Sequence, residues 1–375
     1  MNKNAKKIGR FKRLGLRLIG PALSKMVLSW FLSKKIDKSK LALPADINRS
    51  SNIFIILPQE RTEMIFQLEN LFSMLGKYRD SKVTFLCPAA HVSFVIGLKN
   101  ATVIKYIPQE LALYNEPFYQ TRKEISRCAF DICINLEKRY NICLAYFCAL
   151  SRAHLRMGWE EAGTYPFLNV RLKPASGGGS NLWERNTVFA KLLGAYTDSK
   201  VRWGVPKAAT EEVAQLLAKH KLKREPALIC VDLANLEKRF GKPWCGELIR
   251  ELKKSGAGQF YIFGGLEGES VSFTEEPFPC LPPLSITRTA ALIAVTDFVI
   301  TGKGALLGLS QVSYCKIIPV VNSEQAALYC KSSNRISPAL FSEKPDSSTV
   351  RLVLKNLRTL ISLNKSSASG QPEIV

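Results

Sequence analysis

The segment TDFVITGKGALLGLS, residues 296–310, combines residue types that bind anions in many α/β proteins. Its apolar start predicts the end of a buried strand, GKG predicts a tight turn, and the run from Ala305 predicts a helix. Glycine lets the backbone approach a ligand closely, and the free amide groups at a helix N-terminus bind anions. Lys303 adds a positive charge beside Gly304. We therefore expect Lys303 and Gly304 to bind phosphate.

Alternating strands and helices must position this segment. Short apolar runs alternate with longer amphipathic runs from residue 52 to residue 159, and the same alternation starts again at residue 227. Buried strands separated by helices are typical of a parallel sheet with helices on both faces. The two series are divided near 165–180, where KPASGGGSN predicts a flexible loop. The sequence therefore predicts an α/β protein with two Rossmann-like lobes and a ligand site in the cleft between them.

Periodicity and turn residues predict the individual elements. Strands are predicted at 52–57, 82–88, 101–107, 130–136, 153–159, 227–232, 259–265, 297–301 and 316–322, with 153–159 as the last strand of the first series. Helices are predicted at 62–75, 91–98, 116–128, 139–150, 182–196, 243–255, 288–295 and 305–312, and from about residue 350. Thr62 is the expected N-cap of the first helix.

Positive charge is concentrated at the start of the chain. The formal net charge is +22, and residues 1–40 contain twelve Lys or Arg residues but one acidic residue, Asp37. Apolar residues recur there at nearly helical spacing, which predicts a basic amphipathic segment at 1–45 that lies on an anionic membrane surface. A helix that packs on the body of the protein is the alternative. Nucleic acid is not an expected partner, because no basic motif rich in aromatic residues occurs elsewhere.

The composition argues against several other classes. No run of about 18 uncharged apolar residues is present, so a transmembrane span is not expected, and Pro21 and Lys25 interrupt the apolar core that a signal peptide would need. The ten cysteines form no CxxC pair and there are three histidines, so we expect no metal site and interpret the cysteines as reduced residues of a cytosolic protein.

The second lobe resembles glycosyltransferase family 9, the ADP-heptose:lipopolysaccharide heptosyltransferases. The resemblance rests on the runs ALICVDLANLEKRF, YIFGG and AALIAVTDFVITGKGALLGLSQVSYCKIIPVV, and in the first lobe on DICINLEKRYNICLAYFCALSRAHLRMGW. It covers residues 52 to about 330. It implies a GT-B architecture, transfer with inversion, and no cofactor or tightly bound catalytic metal. EKRY at 137–140 and EKRF at 237–240 are interpreted as two similar strand–loop ends.

The resemblance also implies site residues. Glu63 stands where the family places an aspartate that resembles a catalytic base, and a plain first-turn acid favoured by the helix dipole is the alternative. In the family's phosphate loop, Lys238 and Arg239 stand at the lysine and the basic residue after it, and solvated surface charge is the alternative for Lys238. Glu267 and Glu269 flank the place of an acid that binds ribose hydroxyl groups.

The opening segment departs from the family pattern. The family's Asp-Thr-Gly turn becomes Gly302, Lys303 and Gly304, and the histidine one helical turn later becomes Leu307. Gly304 and the predicted helix N-terminus, which could bind an anion, are kept, and Lys303 adds a positive charge, whereas the family's Asp, Thr and His side chains are lost. Both an altered active donor site and an inactive one are compatible with this pattern.

The function implied by the resemblance is sugar transfer from a nucleotide-diphosphate donor, with ADP-heptose as one candidate. The acceptor would be a lipopolysaccharide-type or other lipid-linked glycan of the cell envelope, and the protein would lie in the cytoplasm against the inner membrane. The alternative is an inactive relative that acts as a membrane-bound scaffold. The expected divisions are the basic segment at 1–45, an acceptor lobe at 46–175, a donor lobe at 176–350 and a helical tail at 351–375.

Overall fold

The computed structural model describes most of the chain in two compact units. The described residues are 50–96, 98–113, 115–161, 164, 167–173, 186–195, 205–223, 227–267, 278–313, 315–330, 333 and 335–368. Among them, 50–64 and 74–173 form the first unit, and 65–73 and 186–368 form the second. The predicted basic segment at 1–45 and Glu269 lie outside the described residues.

The first unit contains a six-stranded, fully parallel sheet with the order β3-β2-β1-β4-β5-β6. Its strands are β1 (Asn52–Ile56), β2 (Lys82–Pro88), β3 (Ala101–Tyr106), β4 (Ile132–Asn135), β5 (Leu155–Trp159) and β6 (Val170–Leu172). Its helices are α1 (Arg61–Lys77), a 3₁₀ helix (Ala89–Phe94), α2 (Glu116–Ile125) and α3 (Ile142–Leu150), although Ile65–Ser73 of α1 belong to the second unit.

The second unit contains a five-stranded parallel sheet with the order β11-β10-β9-β7-β8. Its strands are β7 (Leu228–Val231), β8 (Gln259–Ile262), β9 (Phe298–Thr301), β10 (Lys316–Asn322) and β11 (Ala339–Phe341). Its helices are α4 (Val188–Leu192), α5 (Lys207–Lys219), α6 (Leu233–Phe240), α7 (Lys242–Ser255), α8 (Ile286–Val295), α9 (Ala305–Val312), α10 (Ser323–Tyr329) and α11 (Ser347–Ala368).

Burial on both faces explains why the strands have little hydrophobic alternation. Every residue of β4, β5, β7 and β9 is buried, as expected for parallel strands covered by helices on each side. The core of the second unit combines β7, β9 and the other strands of its sheet with the apolar faces of α6, α7 and α11. The α/β fold class is confirmed. None of the helices in the described part of the chain is long and apolar enough to span a membrane.

Several predicted boundaries differ from the structure. The prediction that Thr62 caps the first helix is wrong, because α1 begins at Arg61 and Glu60 is the N-cap, without a side-chain capping bond. The strand at 153–159 is not the last of its series, since β6 follows it. The elements α5, α10 and β11 were not predicted, and of these β11 has three residues, too few to produce a periodic pattern.

A carboxylate at the start of one central strand of each sheet accepts hydrogen bonds from the neighbouring strand. Asp131, directly before β4, accepts bonds from the backbone amides of Ser51 and Asn52 at 2.8 and 2.9 Å. Asp297, directly before β9, accepts one from the amide of Leu228 at 2.9 Å. The amide groups that begin β1 and β7 are therefore satisfied, and the relative register of the two strands is fixed at this end.

Candidate functional site

Each sheet has one place where the strand order reverses. In the first unit this place lies between β1 and β4, and in the second between β7 and β9. Loops that follow two such strands lead away from each other, which leaves a crevice beyond the carboxyl ends where open α/β sheets bind ligands. The residues that follow these four strands are therefore the candidates for ligand binding and catalysis.

In the second unit, a cavity of about 710 Å³ lies at this position. It is lined by residues from the ends of β7, β8 and β9 and from the helices after them: Asp232, Ala234, Asn235, Lys238, Arg239, Phe263, Leu266, Lys303, Ala305 and Leu306. Three of these side chains are cationic and one is a carboxylate. The volume is within the range of cavities that bind nucleotide-sized ligands.

All three cations were predicted from the sequence as site residues, but two of them lie on a helix instead of a loop. Lys238 and Arg239 were predicted on a loop, whereas they occupy the last turn of α6, which starts directly after Asp232. That prediction of a loop is wrong. Positive side chains are favoured at a helix C-terminus, where the backbone carbonyls concentrate partial negative charge. Burial lowers the pKa of Arg239, which nevertheless stays charged at neutral pH.

The glycine turn after β9 accommodates the side chain of Asn235. The Nδ2 atom of Asn235 donates to the carbonyl of Lys303 at 3.1 Å. A β-carbon on Gly304 would lie 2.3 Å from Nδ2 of Asn235, and one on Gly302 would lie 2.6 Å from its Oδ1. The backbone at Gly304 is extended, with φ 171°, a conformation open to any residue. Contact with the Asn235 side chain, and not backbone strain, therefore disfavours a larger residue at both positions.

Two further contacts orient the polar side chains around the cavity. The hydroxyl of Thr301 donates to the buried carboxylate of Asp232 at 2.6 Å, which joins the ends of β9 and β7. The ammonium of Lys303 lies 4.4 Å from the ring centroid of Tyr329, a distance at which a cation is attracted to an aromatic face. The lysine thereby loses part of its freedom before any ligand binds. The first residues of α9, whose amides have no partner within the helix, complete this wall.

In the first unit, the corresponding position is occupied by Glu63. This residue lies in the first turn of α1, directly after β1, and its side chain is 11% exposed. The ammonium of Lys138, which follows β4, lies 3.7 Å from its Oε1 atom. Burial raises the pKa of Glu63 to about 7, the positive charge of Lys138 opposes this increase, and the negative charge of Glu137 adds to it. A carboxyl group with a pKa near neutrality can accept or release a proton under physiological conditions.

Solved structures with the same fold include bacterial sugar transferases. A glycosyltransferase of family 9 from Veillonella parvula matches with a TM-score of 0.65 at 14% identity, over 83% of this chain and 97% of that one. The E. coli ADP-heptose lps heptosyltransferase II matches with a TM-score of 0.62 at 15% identity, over 84% and 99%. The E. coli heptosyltransferase WaaC with ADP matches with a TM-score of 0.59 at 13% identity, over 82% and 99%.

The fold is that of the family 9 glycosyltransferases. It has the two Rossmann-like units of the GT-B class, as the sequence resemblance implied. No protein-family model and no curated protein matches the sequence. The likeness at 13–15% identity is therefore one of architecture and assigns no role to individual side chains.

The remaining predicted residues occupy less defined places. Glu267 follows Leu266, which lines the cavity, and its side chain is exposed to solvent. The alternative position for ribose binding, Glu269, is not among the described residues. Within the described part of the chain, no group of three His, Cys, Asp or Glu residues could hold a metal ion. Any charge compensation by described residues at this cavity must come from its basic side chains.

Sequence reasoning missed Asn235 and Lys138. Asn235 lies on a segment interpreted as a loop, where no spacing indicated that it faces the glycine turn. Lys138 belongs to EKRY, which was set beside EKRF as a similar strand–loop end; that interpretation is wrong, because 237–240 is the end of α6 whereas 137–140 follows β4 without helical structure. Both copies nevertheless contain residues of the candidate sites, Lys138 in the first and Lys238 with Arg239 in the second.

The contact between Asn235 and the glycine turn can be tested by a double-mutant cycle. Gly304→Ala is expected to destabilise the protein by about 1–3 kcal/mol, because the new methyl group overlaps the Asn235 amide. The same substitution in an Asn235→Ala background should cost much less, since the overlapping atoms are gone. Urea denaturation of the four proteins measures both differences.

Gly246→Ala is the matched control for this cycle. It lies in α7 of the same unit, and a β-carbon there would have no neighbour within 4 Å. Alanine at this helical position should leave stability unchanged or increase it by up to about 1 kcal/mol. An equal cost of Gly304→Ala with and without Asn235 would show that the glycine is needed for another reason.

Proposed function

We propose that this protein is a glycosyltransferase that moves a sugar from a nucleotide-diphosphate donor to a hydroxyl group of a cell-envelope glycan. The observation that carries the proposal is the cavity at the strand-order reversal of the second sheet, lined by Lys238, Arg239 and Lys303. A diphosphate carries the negative charge that three cations would neutralise. The fold supports this assignment, because heptosyltransferase WaaC has the same architecture and its structures contain ADP or an ADP-heptose analogue.

The residues assigned to the chemistry have complementary tasks. The acceptor oxygen attacks the anomeric carbon, and the bond from that carbon to the diphosphate breaks with its electron pair on the departing diphosphate. Lys238, Arg239 and Lys303 stabilise the charge that develops there. Glu63 accepts the proton of the attacking hydroxyl group. Attack from the face opposite the leaving group gives inversion, the stereochemistry implied by the family resemblance.

The proposal includes heptose as the sugar and lipopolysaccharide as the acceptor class. Both come from the architecture shared with ADP-heptose lps heptosyltransferase II. The exposed Glu267 is assigned to the ribose hydroxyl groups, because it directly follows Leu266, which lines the cavity. Nothing in the comparisons supports the alternative of an inactive scaffold, which a transfer assay would reveal.

The proposed donor site predicts which lysine affects nucleotide binding most. Lys303→Met should weaken ADP binding about tenfold or more, the size expected for a lost hydrogen bond to a charged group. The family resemblance alone favours Lys238 as the stronger contributor, but Lys238→Met should weaken binding less, because Lys238 is more exposed in the structure and its charge is better screened by solvent. Isothermal titration calorimetry with ADP and UDP at low salt measures the affinities.

The control for this titration is Lys253→Met. Lys253 is an exposed lysine on α7 and does not line the cavity. Its replacement removes the same charge and should leave the affinity for ADP nearly unchanged. Equal losses for all three variants would indicate a response to net charge alone and would contradict a donor site in this cavity.

Turnover tests the role of Glu63. Glu63→Gln keeps the size of the side chain and removes its basicity, so transfer should fall by about 10²–10⁴-fold while ADP affinity is kept. Wild-type turnover should rise with pH through about 7 as Glu63 ionises. The assay follows release of ADP from ADP-heptose with a lipopolysaccharide-type acceptor. If ADP-heptose does not bind, a thermal-shift panel of other nucleotide sugars identifies the donor by its stabilisation of the protein.

Glu60→Gln serves as the control for turnover. Glu60 is one helical turn from Glu63 and pairs with Arg139 at the surface at 3.5 Å, with both side chains mostly exposed. Its replacement should change turnover little. If Glu63→Gln transfers sugar as fast as the wild type, Glu63 is a first-turn acid and the base is another group. If no donor is turned over although nucleotides bind, the inactive scaffold becomes the better interpretation.

Attachment to the membrane is the last part of the proposal. The twelve basic residues in 1–40 would bind an anionic lipid surface through charge, and this would bring the enzyme to a lipid-linked acceptor at the cytoplasmic face of the inner membrane. Flotation with anionic vesicles should recover the full chain at low salt, much less of it at high salt, and little of a variant that lacks 1–40. Equal recovery of both forms would exclude this segment as the anchor.

A further inference from the structure

The tripeptide Glu137-Lys138-Arg139 contacts the start of α1 at three successive points. One carboxylate oxygen of Glu137 accepts the backbone amide of Gln59 at 2.7 Å, and the other accepts the amide of Arg139 at 2.9 Å. Lys138 pairs with Glu63, and Arg139 pairs with Glu60. Because β1 and β4 are adjacent parallel strands, residues after the end of β4 come directly beside the loop that leads into α1.

Glu137 determines the position of this contact. It is a buried carboxylate, and both of its oxygen atoms are occupied by backbone amides, one before α1 and one in its own loop. The amide of Glu137 in turn donates to the side chain of Asn135 at 3.1 Å. The backbone on either side of Lys138 is thereby fixed, so the lysine side chain starts from a defined point.

The charge of Lys138 acts on Glu63 without occupying its lone pairs. The 3.7 Å separation between the ammonium and Oε1 is an ion pair but is too long for a hydrogen bond. Among the described residues, Oε1 has no hydrogen-bond donor, although it is shielded from solvent. The ammonium also lies 5.7 Å from the ring centroid of Trp159, which restricts it further. The ammonium therefore favours the ionised form of this carboxylate and leaves Oε1 open to a proton from elsewhere.

We propose that Lys138 is a positioning residue for Glu63, whose carboxylate it orients and favours in the ionised form while leaving Oε1 free to accept the proton of an acceptor hydroxyl group. This inference rests on the proposed function of Glu63. The charged groups that surround Glu63 are Glu60 on α1 and Glu137, Lys138 and Arg139 after β4. Glu60 and Glu137 are carboxylates that disfavour ionisation of Glu63. Lys138 is the cation that favours this ionisation most.

The titration of Glu63 tests this proposal without any substrate. Full-length protein is labelled with [δ-¹³C]glutamate and titrated from pH 5 to pH 9, and the resonance of Glu63 is assigned by its absence in Glu63→Gln. Lys138→Met should raise the titration midpoint by about one pH unit or more, since an opposite charge at this distance favours the ionised carboxylate by that amount. Lys138→Arg keeps the charge and should leave the midpoint near that of the wild type.

Arg139→Met is the matched control, because it removes the same charge one residue away. Its guanidinium pairs with Glu60 and has the smallest influence on Glu63 among the surrounding charges, so it should move the midpoint much less. An unchanged midpoint in Lys138→Met, or an equal shift in Arg139→Met, would overturn the proposal. Lys138→Gln replaces Lys138→Met if the latter does not fold, as judged by circular dichroism.

A pH–rate profile separates this inference from the proposed function. In Lys138→Met, the rise of turnover with pH should move to higher pH in parallel with the NMR midpoint, so activity lost at pH 7 should be largely recovered at pH 9. A merely structural lysine would lower turnover equally at every pH. If the NMR midpoint shifts while Glu63→Gln transfers sugar at the wild-type rate, Lys138 controls Glu63 but Glu63 is not the base.

Discussion

Both candidate sites depend on the parallel pairing of two central strands in each unit. Ile56 pairs with Asn135 at the end of β1 and β4, and Val231 pairs with Ile300 near the end of β7 and β9. Parallel register brings the next residues of both strands to the same edge. The Asp232–Thr301 hydrogen bond and the Glu63–Lys138 ion pair form at those two edges. The side chains are far apart in the sequence, and the sheets alone bring them together.

The sequence predicted the central elements well and the short ones poorly. The strands at 82–88 and 316–322 and the helix at 305–312 agree with the structure at both ends, because each is a dense apolar run bounded by turn or charged residues. The strand β6 has three residues, of which one is buried, and such a short run contains no period to detect. The fold class followed from the long runs, which fill both cores.

The element α6 shows how a family resemblance can outweigh local chemistry. Its sequence, LANLEKRF, is composed largely of good helix formers and has an apolar face at Leu233 and Leu236. The resemblance implied a loop at this place, whereas propensity favoured the helix that the structure contains. Lys238 and Arg239 still reach the cavity because the helix ends there. Asn235 could not be predicted, since its partner, the glycine turn, lies 68 residues away.

Asp131 and Asp297, at the amino ends of central strands, have a consequence for the interpretation of genetic screens. Asp131 and Asp297 fix the amino ends of the paired strands, a strand's length of about 13 Å from the residues that would contact substrate. Loss of either carboxylate would loosen the register on which the distant edge depends. A screen based on sugar transfer alone would therefore score these positions as catalytic, although neither side chain contacts a reacting atom. Measurements of folding stability would instead identify them as structural positions.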